Sequence, residues 1–459
     1  MITTHAQDES AVRLENSVSR PRAWFAFAMI FLLMMSDYID RQIIVSLFPH
    51  LKEEWGLSDK QLGGLVSVIS IVVALGSIPV AMLADRFGRV KSIFVMASIW
   101  SCATIACMFA RNYGQLFAAR AVVGVGETGY GSVGSALISA LFPKRLHATL
   151  LGAFFAASSV GAVLGVVLGG VIAEHWGWRA AFGAVGFPGL IMALAFLLVP
   201  DYKNVIVKMT PSIKSGGGKE KIARLLRTLS RGPTMWILCV AGSFQMIVVS
   251  AMWSWMPSFF NRYHGMPVVT AAKYAAVLVL IGAFGALFWG AVADRVSRRR
   301  GSRKLALLSI TTLVTAALFI AAFTLPLTQM AQFVLILAGG SMMTCTVGVS
   351  VSAILDVTHP GLRSTGAAVH AFAINLFGLA IGPFLGGVIS DHWSLQTALT
   401  VIPAAGFFAS FFYWKASRHY EADAALAAQM LEQADAEIEP AAIDGSSQGK
   451  VSGFTKAHA

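Results

Sequence analysis

Long apolar runs separated by short polar segments dominate the chain of 459 residues. Each run holds roughly 20 residues or more, the length that an α-helix needs to cross the hydrocarbon core of a bilayer. The runs are apolar on all sides instead of amphipathic, so a large soluble protein explains them poorly. The pattern predicts an all-α membrane protein with twelve transmembrane helices, at residues 23–48, 61–83, 91–110, 114–141, 148–173, 179–200, 233–259, 270–292, 304–325, 329–355, 364–390 and 395–415.

A longer polar segment, residues 201–232, divides the runs into two groups of six. Its basic residues fit either a helix lying on an anionic leaflet or a solvated tether. The C-terminal tail is expected to begin as a helix and then become disordered. The predicted order is a cytoplasmic N-terminal tail, a six-helix half, a cytoplasmic linker, a second six-helix half and a cytoplasmic C-terminal tail, at residues 1–22, 23–200, 201–232, 233–415 and 416–459.

The two halves repeat part of their sequence. Gly169-Gly-Val-Ile-Ala-Glu-His-Trp176 returns as Gly386-Gly-Val-Ile-Ser-Asp-His-Trp393, an offset of 386 − 169 = 217 residues. Pro143 and Pro360 keep the same offset. Parallel repeats around a central path are one of the arrangements that transporters use.

The net charge of +12 is distributed over short loops, so it does not indicate nucleic-acid binding. Basic residues concentrate in the loops at 84–91, 142–147 and 293–304, and this side with both termini is predicted to be cytoplasmic. On the opposite side, the positive and negative charges of the loop residues roughly cancel; these residues are Lys52, Glu53, Glu54, Asp59 and Lys60. The expected location is the inner cell membrane, and the first helix, not a cleaved signal peptide, is expected to direct insertion.

Several classes of function lack their sequence signals. The phosphate-binding loop of ATP-driven pumps is missing from the sequence. The four cysteines lie in apolar runs without metal-ligand spacing, and of the histidines only His370 lies clearly within a run. We therefore expect neither an enzyme nor a metal or other cofactor, with a proton gradient as the only source of coupling.

Five formal charges lie inside two apolar runs. Asp37, Asp40 and Arg41 are spaced i, i+3 and i+4 in the first run, while Arg120 and Glu127 are two turns apart in the fourth. Each charge costs at least about 2.5–3.5 kcal/mol at the bilayer centre. At about 1.5 Å per residue, Asp40, Arg41 and Arg120 share one level and Glu127 lies roughly 10 Å deeper. This predicts an Asp40–Arg120 pair above a solitary Glu127.

These charges suggest a division of roles. Asp40 and Glu127 are the candidates for proton coupling, while Arg41 and Arg120 are the candidates for binding an anionic group. An anion that takes Arg41 or Arg120 from Asp40 raises the proton affinity of that carboxylate, which gives symport. Antiport follows if protonation releases the substrate instead. The alternative is a buried ion pair that only fixes packing.

Weaker candidates are single polar residues within the runs. Asn375 is expected either to contact substrate or to bond a neighbouring helix, and Asp37, Tyr130, Gln245 and His370 are possible cavity residues. Packing is the alternative for each of them. The four-residue spacing of Gly161, Gly165 and Gly169 predicts a face along which helices approach closely or slide.

The loop after the second run resembles a signature of the major facilitator superfamily. Ala81-Met-Leu-Ala-Asp85-Arg86-Phe-Gly88-Arg89 matches its Gly-x-x-x-Asp-Arg-x-Gly-Arg pattern, with Ala81 in place of the usual Gly. Gly290-Ala-Val-Ala-Asp294-Arg295 is a second, shorter copy. The resemblance covers about residues 20–415 and implies the two-half fold. It also implies gating roles for Asp85, Arg86, Gly88, Arg89, Asp294 and Arg295.

This sequence is similar to two branches of that superfamily. Gly124-Val-Gly-Glu127-Thr-Gly-Tyr130 and Trp176-Gly-Trp-Arg179 resemble the spinster-like transporters. Tyr38-Ile-Asp40-Arg41, with Asn375-x-x-Gly378, also resembles the anion:cation symporters. These resemblances imply a monomeric, proton-coupled secondary transporter, working by alternating access on an organic anion or a lysolipid-like amphipath. Alternatives are a proton-independent facilitator, a lipid exporter, a channel or a non-transporting receptor.

Overall fold

The computed structural model describes residues 20–87, 89–199, 232–358 and 362–447. All regular secondary structure in these ranges is helical. The predicted linker at 201–232, apart from Gly232, lies outside the described residues, as do residues 1–19 of the N-terminal tail and 448–459 of the C-terminal tail.

The N-terminal half contains seven described helices that form six spans. The fourth span consists of two of them, α4 and α5. The helices are α1 (Arg20–Trp55), α2 (Asp59–Phe87), α3 (Arg89–Met108), α4 (Tyr113–Glu127), α5 (Tyr130–Leu141), α6 (Lys144–Trp176) and α7 (Trp178–Phe196).

In the C-terminal half, three of the six spans are built from more than one helical segment. The tenth span is α11 with α12, the eleventh is α13 and α14 around a π-helical turn (Asn375–Leu379), and the twelfth is α15 and α16 around a 3₁₀ turn (Ile402–Ala404). The helices are α8 (Thr234–His264), α9 (Val268–Ser297), α10 (Ser302–Thr324), α11 (Gln329–Met343), α12 (Thr346–Val357), α13 (Arg363–Ile374), α14 (Ile381–His392), α15 (Leu395–Val401) and α16 (Ala405–Ser447).

Eleven helical stretches in the described residues are long and apolar enough to cross a membrane. The twelfth span is α4 with α5, which is interrupted after Glu127. The predicted fold class, an all-α membrane protein with twelve transmembrane helices in two six-helix halves, is confirmed.

The two halves share their irregularities as well as their sequence repeat. The fourth span breaks at Thr128–Gly129, where Gly129 takes a φ of +82° that favours glycine. The tenth span breaks around Cys345, between Met343 and Thr346, and 345 − 128 equals the sequence offset of 217. Corresponding spans are therefore interrupted at corresponding depths.

Glycines bring α6 into direct contact with the backbone of α1. A Cβ atom added to Gly161 would overlap the carbonyl oxygen of Met35, and one added to Gly165 would lie 2.6 Å from that of Ile39. Gly169 repeats the contact one turn further, 2.8 Å from the carbonyl oxygen of Ile43. The predicted glycine face thus lies within one half, where it fixes α1 against α6.

The same arrangement recurs in the C-terminal half, 217 residues later. Three glycines of the eleventh span pack along α8: Gly378, Gly382 and Gly386. An added Cβ would overlap Met246 at the first position, Ser250 and Ile247 at the second, and Trp255 at the third. Each half therefore has a close, glycine-mediated helix pair at the corresponding position.

The last helix continues beyond the predicted end of its run at residue 415. Glu421 and Asp423 of α16 accept hydrogen bonds from the first N–H groups of two spans, Ser302 at 2.9 Å and Thr234 at 2.9 Å. Carboxylates are favourable at helix N-termini, and the Ala-rich sequence itself favours helix. The beginning of the predicted tail is thus part of the C-terminal half's packing.

The glycine contacts predict different outcomes for two alanine substitutions in α6. Gly161→Ala places a methyl group against the α1 backbone, and we expect a loss of about 1–3 kcal/mol because such a core is overpacked. Gly152→Ala is the matched control, since nothing lies within 4 Å of its added Cβ. Thermal unfolding in detergent measures both. Equal melting temperatures for the two variants would contradict the close α1–α6 contact.

Candidate functional site

The five charged residues of α1 and α4 form one buried cluster. Asp37, Asp40, Arg120 and Glu127 are each at most 3% exposed. Arg41 differs from them, because its side chain keeps 20% of its surface exposed. We call these five residues the charge cluster.

The charge cluster contains two groups of contacts. Arg120 Nη1 lies 3.6 Å from Asp40 Oδ1 and donates a hydrogen bond of 3.2 Å to the backbone carbonyl of Asp40. Arg41 Nε lies 2.9 Å from Glu127 Oε2 and 3.6 Å from Asp37 Oδ2. Arg41 therefore lies between two carboxylates, one from its own helix and one from α4.

The expectation of a solitary Glu127 is wrong. It assumed that residues meet at the depth of their Cα atoms. Long helical side chains lean toward the helix N-terminus, so the Arg41 guanidinium reaches back toward the level of Asp37. Glu127 meets it there. The expected Asp40–Arg120 pair is present.

Charge attraction, more than aligned hydrogen bonding, holds the charge cluster together. Among the described residues, both carboxylate oxygens of Asp40 and Glu127, and Nε and Nη2 of Arg120, have no hydrogen-bond partner. Even the close Arg41 Nε–Glu127 contact is not aligned as a hydrogen bond. Buried polar groups are usually hydrogen-bonded, so these free acceptors and donors leave capacity for a proton or an anion.

The break between α4 and α5 sets the position of Glu127 at the last residue of α4. The Thr128 hydroxyl donates to the Gly124 carbonyl at 2.6 Å, and Gly76 of α2 gives that side chain room. Gly126 lets α4 approach Trp100 of α3, where an added Cβ would lie 2.5 Å from the backbone nitrogen. This break is not among the features predicted from the sequence, although the Thr-Gly pair after Glu127 is a signal for it.

The weaker candidates are distributed over both halves. The Tyr130 hydroxyl donates to the Ile30 carbonyl at 2.7 Å, and its ring contacts Trp100 edge-to-face. Gln245 donates from Nε2 to the Met343 carbonyl at 2.8 Å. These contacts are packing contacts with neighbouring helices. A cavity role for either residue stays a prediction.

His370 and Asn375 both lie on the eleventh span. His370 is buried against Gly242 of α8. Asn375 begins the π-helical turn, is half-buried, and donates to the Ala371 carbonyl at 2.8 Å. Single π turns within α-helices occur often at functional sites, but a substrate contact of Asn375 stays a prediction.

The gating motifs are described only in part. Gly88 and the side chains of Asp85, Arg86 and Arg89 lie outside the described part of the chain. Asp294 and Arg295 are exposed near the end of α9. The gating roles stay predictions.

The described residues contain no group of three His, Cys, Asp or Glu side chains arranged to hold a metal ion. The charge cluster itself combines three carboxylates with two guanidinium groups. Such a set can exchange protons and bind anions without a resident metal.

Comparisons with known proteins agree on one family. The family model described as Major Facilitator Superfamily matches residues 30–380. An "MFS-type efflux pump" of Mycolicibacterium smegmatis is 27% identical over 88% of this chain and 94% of its own length. "Protein spinster" of Drosophila melanogaster is 25% identical over 82% of this chain and 63% of its own length.

A solved structure shows the same fold. It is a bacterial homologue of the human lysosomal transporter Spinster, in an inward-facing and unoccupied conformation. The TM-score is 0.78 at 23% identity, over 88% of this chain and 99% of the other. The predicted resemblance to spinster-like members of the superfamily is thus confirmed.

The burial of Asp40 and Arg120 predicts a non-additive effect on stability. Arg120→Met leaves Asp40 buried without its partner, and we expect a loss of about 3–5 kcal/mol. Adding Asp40→Asn removes the unpaired charge and should restore part of that loss. Thermal unfolding of the single and double variants measures the coupling.

Arg179→Met serves as the control for this cycle. Its ion pair with Glu54 is more than one-third exposed on both sides, and such pairs contribute about 0–1 kcal/mol. A double variant no more stable than Arg120→Met alone would show that Asp40 and Arg120 are not energetically coupled.

Proposed function

The chain belongs to the Major Facilitator Superfamily, and we propose that it is a proton-coupled secondary transporter of an organic anion or a lysolipid-like anion or zwitterion. The superfamily and the multi-pass membrane fold are shown by the sequence match and the structural likeness. The finer proposal rests on one observation, the buried charge cluster of α1 and α4.

The balance of charges in the cluster supports proton coupling. Three carboxylates face two guanidinium groups, and 3 − 2 leaves one negative charge when all are ionised. An unpaired charge in a protein interior costs several kcal/mol. One bound proton removes it. We therefore propose one exchangeable proton per transport cycle, held between Glu127, Asp37 and Asp40.

The difference in exposure between the two arginines supports a specific anion contact. Arg120 is fully buried, whereas the Arg41 side chain is 20% exposed. An anionic head group therefore reaches Arg41 before it reaches Arg120, and its carboxylate or phosphate can bind the guanidinium in bidentate form. Of the two arginines that the sequence suggested, the geometry favours Arg41.

Anion and proton binding are linked through Glu127. An anion that takes the Arg41 guanidinium removes the nearest positive charge from Glu127, which lies 2.9 Å away. A carboxylate without its cationic partner binds a proton more readily. This linkage favours symport of anion and proton, and no metal or organic cofactor is needed for it.

One relative favours export as the second candidate. The Mycolicibacterium smegmatis relative is named an efflux pump. A proton-independent facilitator would have the same fold. The same cluster could release its cargo on protonation, which gives antiport. We also propose that the chain works as a monomer in the inner cell membrane. Both termini are proposed to lie in the cytoplasm, because the loops rich in Lys and Arg lie on the same side of the membrane as the termini.

Glu127→Gln tests proton coupling. This substitution fixes the side chain in a neutral form, so we expect pH-gradient-driven uptake into proteoliposomes to be lost while exchange of internal for external substrate continues. The assay uses a panel of organic acids and lysolipids with and without the gradient. Glu174→Gln, on an exposed carboxylate of α6, is the matched control. Gradient-driven uptake at the wild-type rate in Glu127→Gln would remove that residue from the mechanism.

Arg41→Lys tests the anion contact. Lysine keeps the charge beside Glu127 but loses the planar fork, so the apparent KM should rise roughly ten- to a hundredfold, as expected for a lost charged hydrogen bond. The maximal rate should change less. Arg111→Lys, at an exposed position before α4, is the control. An unchanged KM for every anion in the panel would contradict the assignment of Arg41.

A further inference from the structure

A second set of charges lies at the opposite end of the bundle from the first residue of α1. We call this the distal end, and it contains the turn between α1 and α2. Asp59, the first residue of α2, is only 2% exposed there. A buried carboxylate in a connecting turn requires partners, because an unpaired one is strongly destabilising.

The partners of Asp59 come mainly from the other half. Arg262, near the end of α8, donates from both terminal nitrogens, at 2.6 Å to Oδ2 and 2.8 Å to Oδ1. The hydroxyl of Ser390 in α14 donates to Oδ2. Lys52 of the same half adds a contact of 2.8 Å to Oδ1. Bidentate Arg–carboxylate pairs of this kind are among the stronger polar contacts.

A second carboxylate makes the contact reciprocal. Asp391 of α14 accepts the backbone N–H groups of Asp59 at 2.7 Å and Lys60 at 2.8 Å. These are the first N–H groups of α2, which have no partner within the helix. The C-terminal half thus caps a helix of the N-terminal half, while the N-terminal half supplies the carboxylate that binds Arg262.

These contacts are concentrated in one place. Where both partners lie in the described ranges, every hydrogen bond and ion pair between the halves involves Asp59 or the backbone N–H of Lys60. The backbones of the two halves also approach closely there. A Cβ added to Gly387 would overlap the Asp59 carbonyl, and a Cβ added to Gly63 would overlap the Pro383 carbonyl. Of the other described contacts between the halves, one places the Lys60 ammonium 5.8 Å from the centre of the Phe384 ring. Others are apolar or aromatic, such as Phe48 against Trp255.

We propose that Asp59, Arg262, Ser390 and Asp391 form a latch that holds the two halves together at the distal end, and that separation of Asp59 from Arg262 is required for this end to open. The latch lies away from the charge cluster and does not depend on what is transported.

The distribution of charges makes the latch reversible. Lys52 and Asp59 belong to the N-terminal half, and Arg262 and Asp391 belong to the C-terminal half. When the halves separate, each keeps one acid and one base. After opening, the latch charges therefore balance within each half, and water can hydrate all four groups.

The test measures the distance between the halves directly. Spin labels are placed on cysteines at Glu53 and Lys273, two exposed positions near the distal end of opposite halves, in a Cys102→Ser background. The purified full-length chain is measured in nanodiscs without substrate and without a pH gradient. We expect one short distance for the parent protein. Asp59→Asn should enlarge the long-distance population by about tenfold or more, the effect of losing a charged hydrogen bond.

Glu54→Gln is the matched control. It removes an ion pair of 2.7 Å with Arg179 at the same end of the molecule, but within one half. Its distance distribution should equal that of the parent. If Asp59→Asn fails to fold, Arg262→Gln and Ser390→Ala carry the same expectation, with a smaller shift for Ser390→Ala. Distributions unchanged in all folded latch variants would overturn the proposal. Since no transport is measured, this outcome is independent of the proton and anion assignments above.

Discussion

Buried charge in an apolar bundle is the constraint that organises this molecule. Five ionisable side chains lie between α1 and α4, and four of them are at most 3% exposed. Each is tolerated only because another cluster member of opposite sign lies within 4 Å. The positions of α1, α4 and the break after Glu127 therefore have to be held closely, since a shift of a few ångströms would leave a charge unpaired.

The two halves satisfy this constraint differently. Gly165 and Gly382 pack against the carbonyl oxygens of Ile39 and Ile247, so α1 corresponds to α8 with an offset of 247 − 39 = 208 residues. Asp37, Asp40 and Arg41 then correspond to Gln245, Val248 and Val249. With the offset of 217 for the fourth and tenth spans, Arg120 and Glu127 correspond to Leu337 and Thr344.

The C-terminal half thus keeps the architecture of the cluster without its charges. Gln245 donates to the Met343 carbonyl at 2.8 Å, next to Thr344, which donates to the Gly282 carbonyl at 2.6 Å. Neutral hydrogen bonds replace ion pairs at the same helix crossing. The proton coupling proposed above is therefore confined to the N-terminal half, because the described residues at the corresponding crossing of the C-terminal half are neutral.

Sequence alone predicted the features that composition and spacing determine. The twelve spans, the repeat and the pairing of Asp40 with Arg120 follow from apolar length, self-similarity and helical periodicity. The contact between Arg41 and Glu127 could not be predicted in this way, because the position of a residue along a helix gives the depth of its Cα atom but not that of the end of a long side chain. In the sequence, Asp59 is one of several loop residues whose charges cancel. Its burial depends on Arg262, 203 residues away, and only the fold brings them together.

A single helix connects the charge cluster to the distal latch. After Arg41, α1 continues through Lys52, and the short turn that follows leads to Asp59. Between the two sites five apolar side chains of this segment are fully buried, so it is closely packed against its neighbours: Ile43, Ile44, Leu47, Phe48 and Leu51.

Pro49 interrupts the hydrogen-bond ladder of this segment, because proline has no N–H to donate to the carbonyl four residues before it. This leaves one weakened point between the two sites in an otherwise continuous helix. The glycine contacts with α6 hold the cluster part of α1 from Met35 to Ile43, while Lys52 and Asp59 lie beyond them. The distal end of α1 is therefore held less closely against α6 than the part of the helix that carries the charge cluster.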